Sequence, residues 1–222
     1  MSVQGPIEIV TNGLVTCLDI GNSKSYPGTG TSINDLSTND YTQTTANAAY
    51  TTIDGVNCLN CTTTGVTYRA STSFTLGTTW TMMTWARVIT STATWRTLWR
   101  TTPDDHPLLV ETGSNRIGYY DNNAGGFLAS GLDVSTLGLG AKWTLYTLVQ
   151  TSTTNIDFYI NGLIAKGSVS TSGTGNSHNA WGNEASGTQP FGHIALALIY
   201  NRNLSTSEIL QNYNSTKSRF GL

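Results

Sequence analysis

The apolar residues of this 222-residue chain recur in short runs whose spacing is typical of β-strands. Gly, Asn, Asp or Pro separates these runs, and no helical periodicity persists before the C-terminal end. The run 80–89 has large residues at both parities, which predicts a central strand covered on both faces. The run 143–149 predicts a second such strand. One face of this strand carries Trp143, Leu145 and Val149, and the other face carries Tyr146 and Leu148.

Two later segments predict a hairpin and a packed strand. Residues 156–160 alternate before Asn161-Gly162, a dipeptide preferred in type I′ turns because both central residues need positive φ. We therefore predict a tight hairpin there. In 194–200, bulky residues share one parity and small residues the other, which predicts a strand pressed against a second layer. The bulky residues are Ile194, Leu196, Leu198 and Tyr200, and the small ones are Ala195 and Ala197.

One short helix is predicted near the C-terminus. Ser205 and Glu208 have the spacing of a capping box, in which each side chain satisfies a backbone N–H at the start of a helix. Leu204 and Ile209 could form the flanking hydrophobic staple. The pattern as a whole predicts an all-β chain with a single helical addition.

Composition narrows the class of protein further. Apolar residues make up 38% of the chain and charged residues 11%, well below the roughly 25% of ordinary soluble proteins. A net charge of -2 gives no basic footprint, so we expect no nucleic-acid partner. No run is long and apolar enough to predict membrane insertion. The start at Met1–Pro6 lacks a basic segment followed by an apolar one, so we expect no secretion signal.

The three cysteines, Cys17, Cys58 and Cys61, are an odd number, which argues against a disulfide framework. The pair Cys58 and Cys61 has zinc-like spacing, but a structural zinc site needs four ligands. The widely separated His106, His178 and His193 supply no second pair. Buried structural cysteines are the favoured interpretation, with metal or redox use as the alternative.

Four segments in order resemble the laminin-G-like members of the concanavalin A-like superfamily. They are residues 80–89, 143–149, 158–162 with its Y-x-N-G hairpin, and 191–209 with its I-Y-N-R-x-L-S-x-x-E-I ending. The resemblance spans roughly residues 14–215 and implies an antiparallel two-sheet β-sandwich, or jelly roll. The end segments, residues 13–19, 22–28, 35–37 and 212–221, resemble the subset found in tailed-phage virion proteins.

The resemblance implies an N-terminal arm at residues 1–12 and a jelly-roll domain with a short helix and tail at 13–222. It also implies a virion structural protein, made in the host cytoplasm: a capsid decoration, fibre or tail component. Its expected partners are other virion proteins, further copies of itself and host-surface glycans. We expect the arm to lie against another subunit. The alternative is a free, lectin-like carbohydrate-binding module, because fold alone does not decide between the two.

The superfamily that the chain resembles also includes glycosidases. These enzymes use two carboxylates that flank the scissile bond. The four glutamates, Glu8, Glu111, Glu184 and Glu208, have no acidic neighbour at the required spacing. No nucleophile elbow, zinc-protease motif or phosphate-binding loop is present. We therefore predict a protein that is not an enzyme and that has no catalytic residues and no cofactor.

Two loops are candidate ligand sites. Asp121 and Asn123 lie in a Gly-rich segment with oxygen ligands, but without the closing glutamate of a calcium loop. A polar hairpin turn is the favoured interpretation there, and we predict no metal. Trp181 and Asn183 lie among loop-forming residues and could offer an exposed aromatic platform beside an amide to a sugar. A structural tryptophan is the favoured interpretation, with the ligand contact as the alternative. Trp95 and Trp99, four residues apart, should share a strand face in the core or at a subunit contact.

Overall fold

The computed structural model describes residues 8–46, 49–63, 67–102, 105–171, 177–183 and 187–222. Within these ranges sixteen strands form two eight-stranded antiparallel sheets, followed by one α-helix and one 3-10 helix. The predicted all-β sandwich with a short C-terminal helix is therefore confirmed.

The first sheet contains the strands that include the two long apolar runs. Its members are β1 (Leu14–Asp19), β4 (Ala49–Ile53), β5 (Val56–Cys61), β7 (Trp80–Val88), β12 (Thr144–Ser152), β13 (Asn155–Ile160), β14 (Ala165–Ser170) and β16 (Gly192–Tyr200). Their spatial order is β14-β13-β12-β7-β16-β5-β4, and β1 also pairs with β16.

The second sheet faces the first across the sandwich. Its members are β2 (Ser32–Ile33), β3 (Gln43–Ala46), β6 (Thr67–Thr75), β8 (Arg96–Thr102), β9 (His106–Val110), β10 (Arg116–Asp121), β11 (Gly126–Asp133) and β15 (Ser177–Trp181). Their spatial order is β11-β10-β9-β8-β15-β6-β3-β2.

The main hydrophobic core lies between the two sheets. The first sheet contributes alternate residues such as Met82, Ala86 and Tyr146, and the second contributes residues such as Leu108 and Ile117. All five are almost completely buried. Alternation along the strands explains this, because every second side chain of a strand points to the same face.

A second core covers the opposite, outer face of the first sheet. The α-helix α1 (Thr206–Thr216) and the 3-10 helix η1 (Lys217–Phe220) lie across this face. Ser205 caps α1 with the predicted capping box, which is confirmed. The run 80–89 is covered on both faces as predicted, because Met82 packs in the main core while Trp85 packs under the helices.

The hairpin at Asn161-Gly162 differs from its prediction in loop length. Both residues have the expected positive φ, at 45° and 74°. Strand pairing, however, begins at Ile160 with Ala165, so the loop has four residues instead of two. The difference has a tertiary cause. The Asn161 side chain accepts a hydrogen bond from the backbone N–H of Leu145 on β12 at 2.8 Å, and this bond fixes Asn161 beside β12 instead of in a two-residue turn.

The predicted asymmetry of residues 194–200 holds for only part of β16. Leu196, Leu198 and Tyr200 lie under the helices, but Ile194 lies in the main core. The register of β16 against β7 shifts between Ile194 and Leu196. Such a bulge reverses the face to which the following side chains point, and the even spacing in the sequence could not show it.

The end of the N-terminal arm packs on its own domain, so the expectation that its apolar residues lie against another subunit is corrected for Ile9 and Val10. Val10 is buried in the second core with Ile9 packed beside it. The Val10 backbone donates to Asn212 at 2.8 Å and accepts from the Tyr200 hydroxyl at 2.9 Å. The proposed boundary at residue 12 stays a prediction.

The three cysteines are buried thiols, as the structural interpretation expected. Burial raises the pKa of Cys17 and of Cys58 to about 12. Cys58 lies in the second core and Cys61 in the main core, on opposite faces of β5. Two side chains that point to opposite faces of a strand cannot bind the same ion, so their spacing is not that of a metal pair.

Candidate functional site

The outer face of the second sheet carries a cluster of three half-buried aromatic rings, Trp95, Tyr120 and Phe127. Trp95 meets Tyr120 edge-on, with ring centroids 5.5 Å apart and planes at 86°. It meets Phe127 at 5.7 Å with the planes tilted by 58°. We call these three residues the aromatic cluster. Partly exposed rings that support one another in this way offer a rigid apolar surface to a ligand.

Strand pairing explains how the sequence places these rings. Tyr120 on β10 lies directly opposite Phe127 on β11, so both side chains point to the same face. The preceding residue, Tyr119, points to the main core. Gly118 leaves room for the cluster, because a Cβ at that position would lie 2.7 Å from the Phe127 ring. The cluster therefore depends on a small residue two positions before Tyr120.

A depression of about 230 Å³ opens beside the cluster. We call it the outer pocket. Its lining combines aromatic, imidazole and amide groups with one apolar side chain. The lining residues are Trp95, His106, Leu109, Tyr120, Asn122 and Gln189. Flat apolar rings beside convergent polar groups suit a ligand that has both apolar faces and hydroxyl groups.

A chain of hydrogen bonds fixes the polar side of the outer pocket. The backbone N–H of Gln189 donates to the Asn183 side chain at 2.8 Å. The Thr97 hydroxyl donates to Oε1 of Gln189 at 2.6 Å and lies 3.1 Å from Nδ1 of His106. Since Thr97 has a single proton to give, its oxygen can only accept from Nδ1 of His106. With Oε1 engaged, the Gln189 side-chain nitrogen is the part of the amide that can donate to a ligand.

Asp105 anchors the turn below the outer pocket. Its carboxylate accepts from the backbone N–H of Asn122 at 2.9 Å and from the Tyr119 hydroxyl at 2.8 Å. Burial and the nearby Asp105 raise the pKa of Tyr119, so its hydroxyl remains a proton donor. Asn122 is thereby held at the pocket edge by a completely buried side chain.

An ion pair borders the aromatic cluster on its far side. The Arg116 guanidinium lies 5.5 Å from the Phe127 ring centroid, which is cation–π geometry. The same guanidinium donates to both carboxylate oxygens of Glu111, at 2.7 and 2.8 Å. Glu111 also accepts from Ser114 at 2.6 Å. Although burial opposes it, hydrogen bonding from Ser114 and Arg116 lowers the pKa of Glu111, so the pair is charged on both sides.

The structure corrects the expectation that Trp181 is an exposed loop residue. It is the last residue of β15 and is 1% exposed. Its ring stacks on Trp99 at 5.9 Å inside the main core. A ring buried in this way has no open face to offer to a sugar. Asn183 is also buried, and it serves the outer pocket indirectly by holding Gln189.

Asp121 and Asn123 belong to the turn between β10 and β11, as the favoured interpretation had it. Asp121 is completely buried and accepts from the backbone N–H of Ala124 at 2.8 Å. Asn123 is exposed, and it is its neighbour Asn122 that lines the outer pocket. Within the described ranges, no group of three His, Cys, Asp or Glu side chains could hold a metal ion. The absence of a bound metal stays a prediction.

Trp95 was missed as a site residue because it lies just before β8, whose pairing is irregular. The spacing of Trp95 and Trp99 predicts one shared face, but Trp99 is 3% exposed in the core while Trp95 lies in the outer pocket. The register of β8 against β9 shifts between Thr97 and Trp99. This bulge separates the two rings. The polar residues around Trp95, including Thr94 and Arg96, were the only sequence signal of a loop position.

Comparison with known proteins agrees with this architecture. The family model described as "Concanavalin A-like lectin/glucanases superfamily", of the laminin-G type, matches residues 60–210, which is more than half of the chain. The chain therefore belongs to this superfamily. No curated protein is significantly similar to it in sequence.

Solved structures of the same fold include parts of enzymes and of toxins. A Trypanosoma rangeli sialidase in complex with sialic acid matches with a TM-score of 0.66 and 16% identity, over 95% of this chain and 34% of the sialidase. The binding domain of botulinum neurotoxin DC in complex with SialylT matches with 0.64 and 15%, over 93% and 52%. The binding domain of Paraclostridial Mosquitocidal Protein 1 matches with 0.65 and 17%, over 92% and 52%.

These structures overturn the exclusion of enzymes. The prediction that this protein is not an enzyme rested on missing motifs, and it was wrong, because chains that share its fold include sialidases. This chain spans about a third of the sialidase length. At 16% identity the likeness defines the fold, and it assigns this chain neither an activity nor the lack of one.

In the part of the chain that the structure describes, no helix is both long and apolar enough to cross a membrane.

Proposed function

We propose that this chain is a lectin-like carbohydrate-binding module and that the glycan lies in the outer pocket. The observation that carries the proposal is the aromatic cluster of Trp95, Tyr120 and Phe127 beside the amides of Asn122 and Gln189. A pyranose ring has one apolar face and a rim of hydroxyl groups. It can stack on an aromatic ring while amide and imidazole groups bond its hydroxyls.

The preorganisation of the outer pocket supports this proposal. Asn183 and Thr97 fix Gln189, and Asp105 fixes the turn that carries Asn122. Polar groups that are already held in place lose little conformational entropy when a ligand binds. Proteins of the same fold that are described in complex with sialic acid or SialylT support the same broad class of ligand.

A single truncation tests the proposal. Trp95→Ala should weaken binding to glycans on a printed array by at least about tenfold, since a central aromatic contact is often worth 2 kcal/mol or more. Tyr50→Ala, which removes an exposed aromatic ring from the first sheet, is the matched control and should leave binding unchanged. Circular dichroism would establish that both variants are folded. Glycan binding by Trp95→Ala at wild-type strength would overturn the proposed site.

We also propose, from the sequence resemblance, that the module is displayed on a virion. The end segments that carry this resemblance also have roles in the fold. Asp35 accepts from the backbone of Cys17 at 2.8 Å, and Arg219 pairs with Asp19 at 2.6 Å. The structure thus explains these residues without reference to a particle. Mass spectrometry of purified phage particles would test this placement. Particles that lack the chain would reject the proposal of virion display.

A further inference from the structure

We infer that the outer pocket takes a neutral sugar and discriminates against an acidic one. The inference rests on the proposed function and adds the class of glycan to it. The supporting observations are the charges on the outer face of the second sheet. The solved structures of the same fold in complex with sialic acid or SialylT would instead suggest an acidic sugar.

The described lining of the outer pocket includes no lysine or arginine side chain. Within the described residues its polar groups are the imidazole of His106, the phenol of Tyr120 and the amides of Asn122 and Gln189. These groups bond hydroxyls well. A carboxylate or sulfate group entering the same pocket would lose water without meeting a cation, which is a costly exchange.

Three arginines lie on β8 and β10, and in the described structure none of them lines the outer pocket. Two of the three, Arg96 and Arg116, donate their hydrogen bonds to other groups. Arg96 is completely buried, and its guanidinium donates to the side chain of Asn115 and to the backbone carbonyls of Ile89, Glu111 and Ser114. Arg116 is exposed near the aromatic cluster, but its Nε and Nη2 groups donate to the two carboxylate oxygens of Glu111. A bidentate carboxylate compensates the charge of a guanidinium and fixes its orientation.

Glu111 is therefore the group that compensates the cation beside the aromatic cluster. Arg116 lies 5.5 Å from the Phe127 ring, and that ring lies 5.7 Å from Trp95 in the outer pocket. A guanidinium released from Glu111 would be within reach of an acidic group on a sugar stacked on the cluster. Removing the carboxylate should thus change which glycan is preferred.

The test compares a neutral oligosaccharide with its sialylated counterpart by isothermal titration calorimetry, at about pH 8, where an ordinary imidazole is uncharged. The wild-type chain should bind the neutral sugar at least about tenfold more tightly. Glu111→Gln keeps the shape of the side chain but removes the negative charge that compensates Arg116. This variant should bind the neutral sugar as the wild type does, and should reduce the preference to about threefold or less.

The double variant with Glu111→Gln and Arg116→Gln is the matched control and should restore the wild-type preference. Equal or tighter binding of the sialylated sugar by the wild type would overturn the inference while leaving the proposed function intact. An unchanged preference in Glu111→Gln would also overturn it, because the ion pair would then not withhold the cation. If neither sugar bound any of the chains, the proposed function itself would fail.

Discussion

The two outer faces of this sandwich carry similar aromatic residues but differ in how far these residues are covered. On the first sheet, Trp85 stacks on Phe220 at 4.1 Å and is completely buried beneath the helices. On the second sheet, Trp95 meets Tyr120 and Phe127 at 5.5 and 5.7 Å and remains half-buried. An aromatic ring is therefore structural on one face and available to a ligand on the other. What differs is whether another part of the chain covers it.

The covered face is closed by polar as well as apolar contacts. Asn212 on α1 accepts from the backbone of Val10 at 2.8 Å and donates to the Tyr200 hydroxyl at 2.9 Å. The indole N–H of Trp85 donates to the Thr216 hydroxyl at 2.8 Å. Each of these polar groups would lose its partner if the helices left, and unpaired buried groups are costly. The helices thus belong to the fold.

The largest expected difference between the two faces is in the free energy of unfolding after one aromatic ring is removed from each face. Phe220→Ala should lower the free energy of unfolding by about 3–5 kcal/mol, because it opens a cavity between Trp85 and Trp143. Phe127→Ala on the open face should cost only about 1 kcal/mol. Urea denaturation followed by tryptophan fluorescence would measure both. Similar losses for the two variants would mean that the second sheet is also covered.

A smaller effect should separate two glycines with the same backbone conformation. Gly162 has φ 74° and faces the helix, where an added Cβ would lie 3.1 Å from Leu210 and 3.3 Å from Tyr213. Gly55 has φ 77° and no neighbouring atom within 4 Å in the described structure. Gly162→Val should therefore cost a few kcal/mol, whereas Gly55→Val should cost only the backbone strain, about 1–2 kcal/mol.

Thermal melting of the two glycine variants would measure this difference. Because the backbone strain is common to both, the excess loss in Gly162→Val reports the packing of the hairpin against the helix. Equal melting temperatures would show that this contact contributes nothing.

The smallest effect concerns the helix cap on the covered face. Hydrogen bonds from Arg202 and from the backbone of Ser205 lower the pKa of Glu208 from 4.5 to about 2. A carboxylate with a lowered pKa stabilises the fold fully above its ordinary pKa, and this contribution is lost as pH falls toward 2. Glu208→Gln keeps the capping geometry but removes the charge, so it should cost about 0.5–1 kcal/mol at pH 7.

Urea denaturation at several pH values would check the prediction for Glu208. The difference between the wild type and Glu208→Gln should be constant above about pH 5 and should shrink below it. A difference that is the same at pH 3 and pH 7 would contradict the assignment of the lowered pKa to the pair of Glu208 and Arg202.

Much of the fold could be predicted from local patterns, because the strand faces and the helix start depend on residues that are adjacent in the sequence. The alternation in 143–149 placed Trp143 and Tyr146 on the correct, opposite faces. The spacing of Ser205 and Glu208 placed the helix start. Positive φ at Asn161 and Gly162 followed from the residue types. In each case, the backbone preference of a few adjacent residues agrees with the final structure, so no distant contact was needed to find it.

The candidate site could not be predicted in the same way, because it depends on irregularities and on distant strands. The bulge in β8 sends Trp95 and Trp99 to different surroundings, and even spacing in the sequence conceals it. Trp181 has loop-like neighbours in the sequence but ends a strand between β8 and β6. The outer pocket brings together Trp95, His106, Asn122 and Gln189 from four separate segments. No motif links residues that meet only after the sheet has formed.

The sequence by itself therefore determined the class of fold, the two faces of a regular strand such as β12 and the capped helix, since these follow from residue periodicity and local hydrogen bonding. The tertiary structure alone decided which aromatic rings are covered. Phe220 comes from the end of the chain to stack on Trp85, and no described segment does the same for Trp95. Coverage is a property of segments far apart in sequence, so only the folded chain separates a core residue from a binding residue.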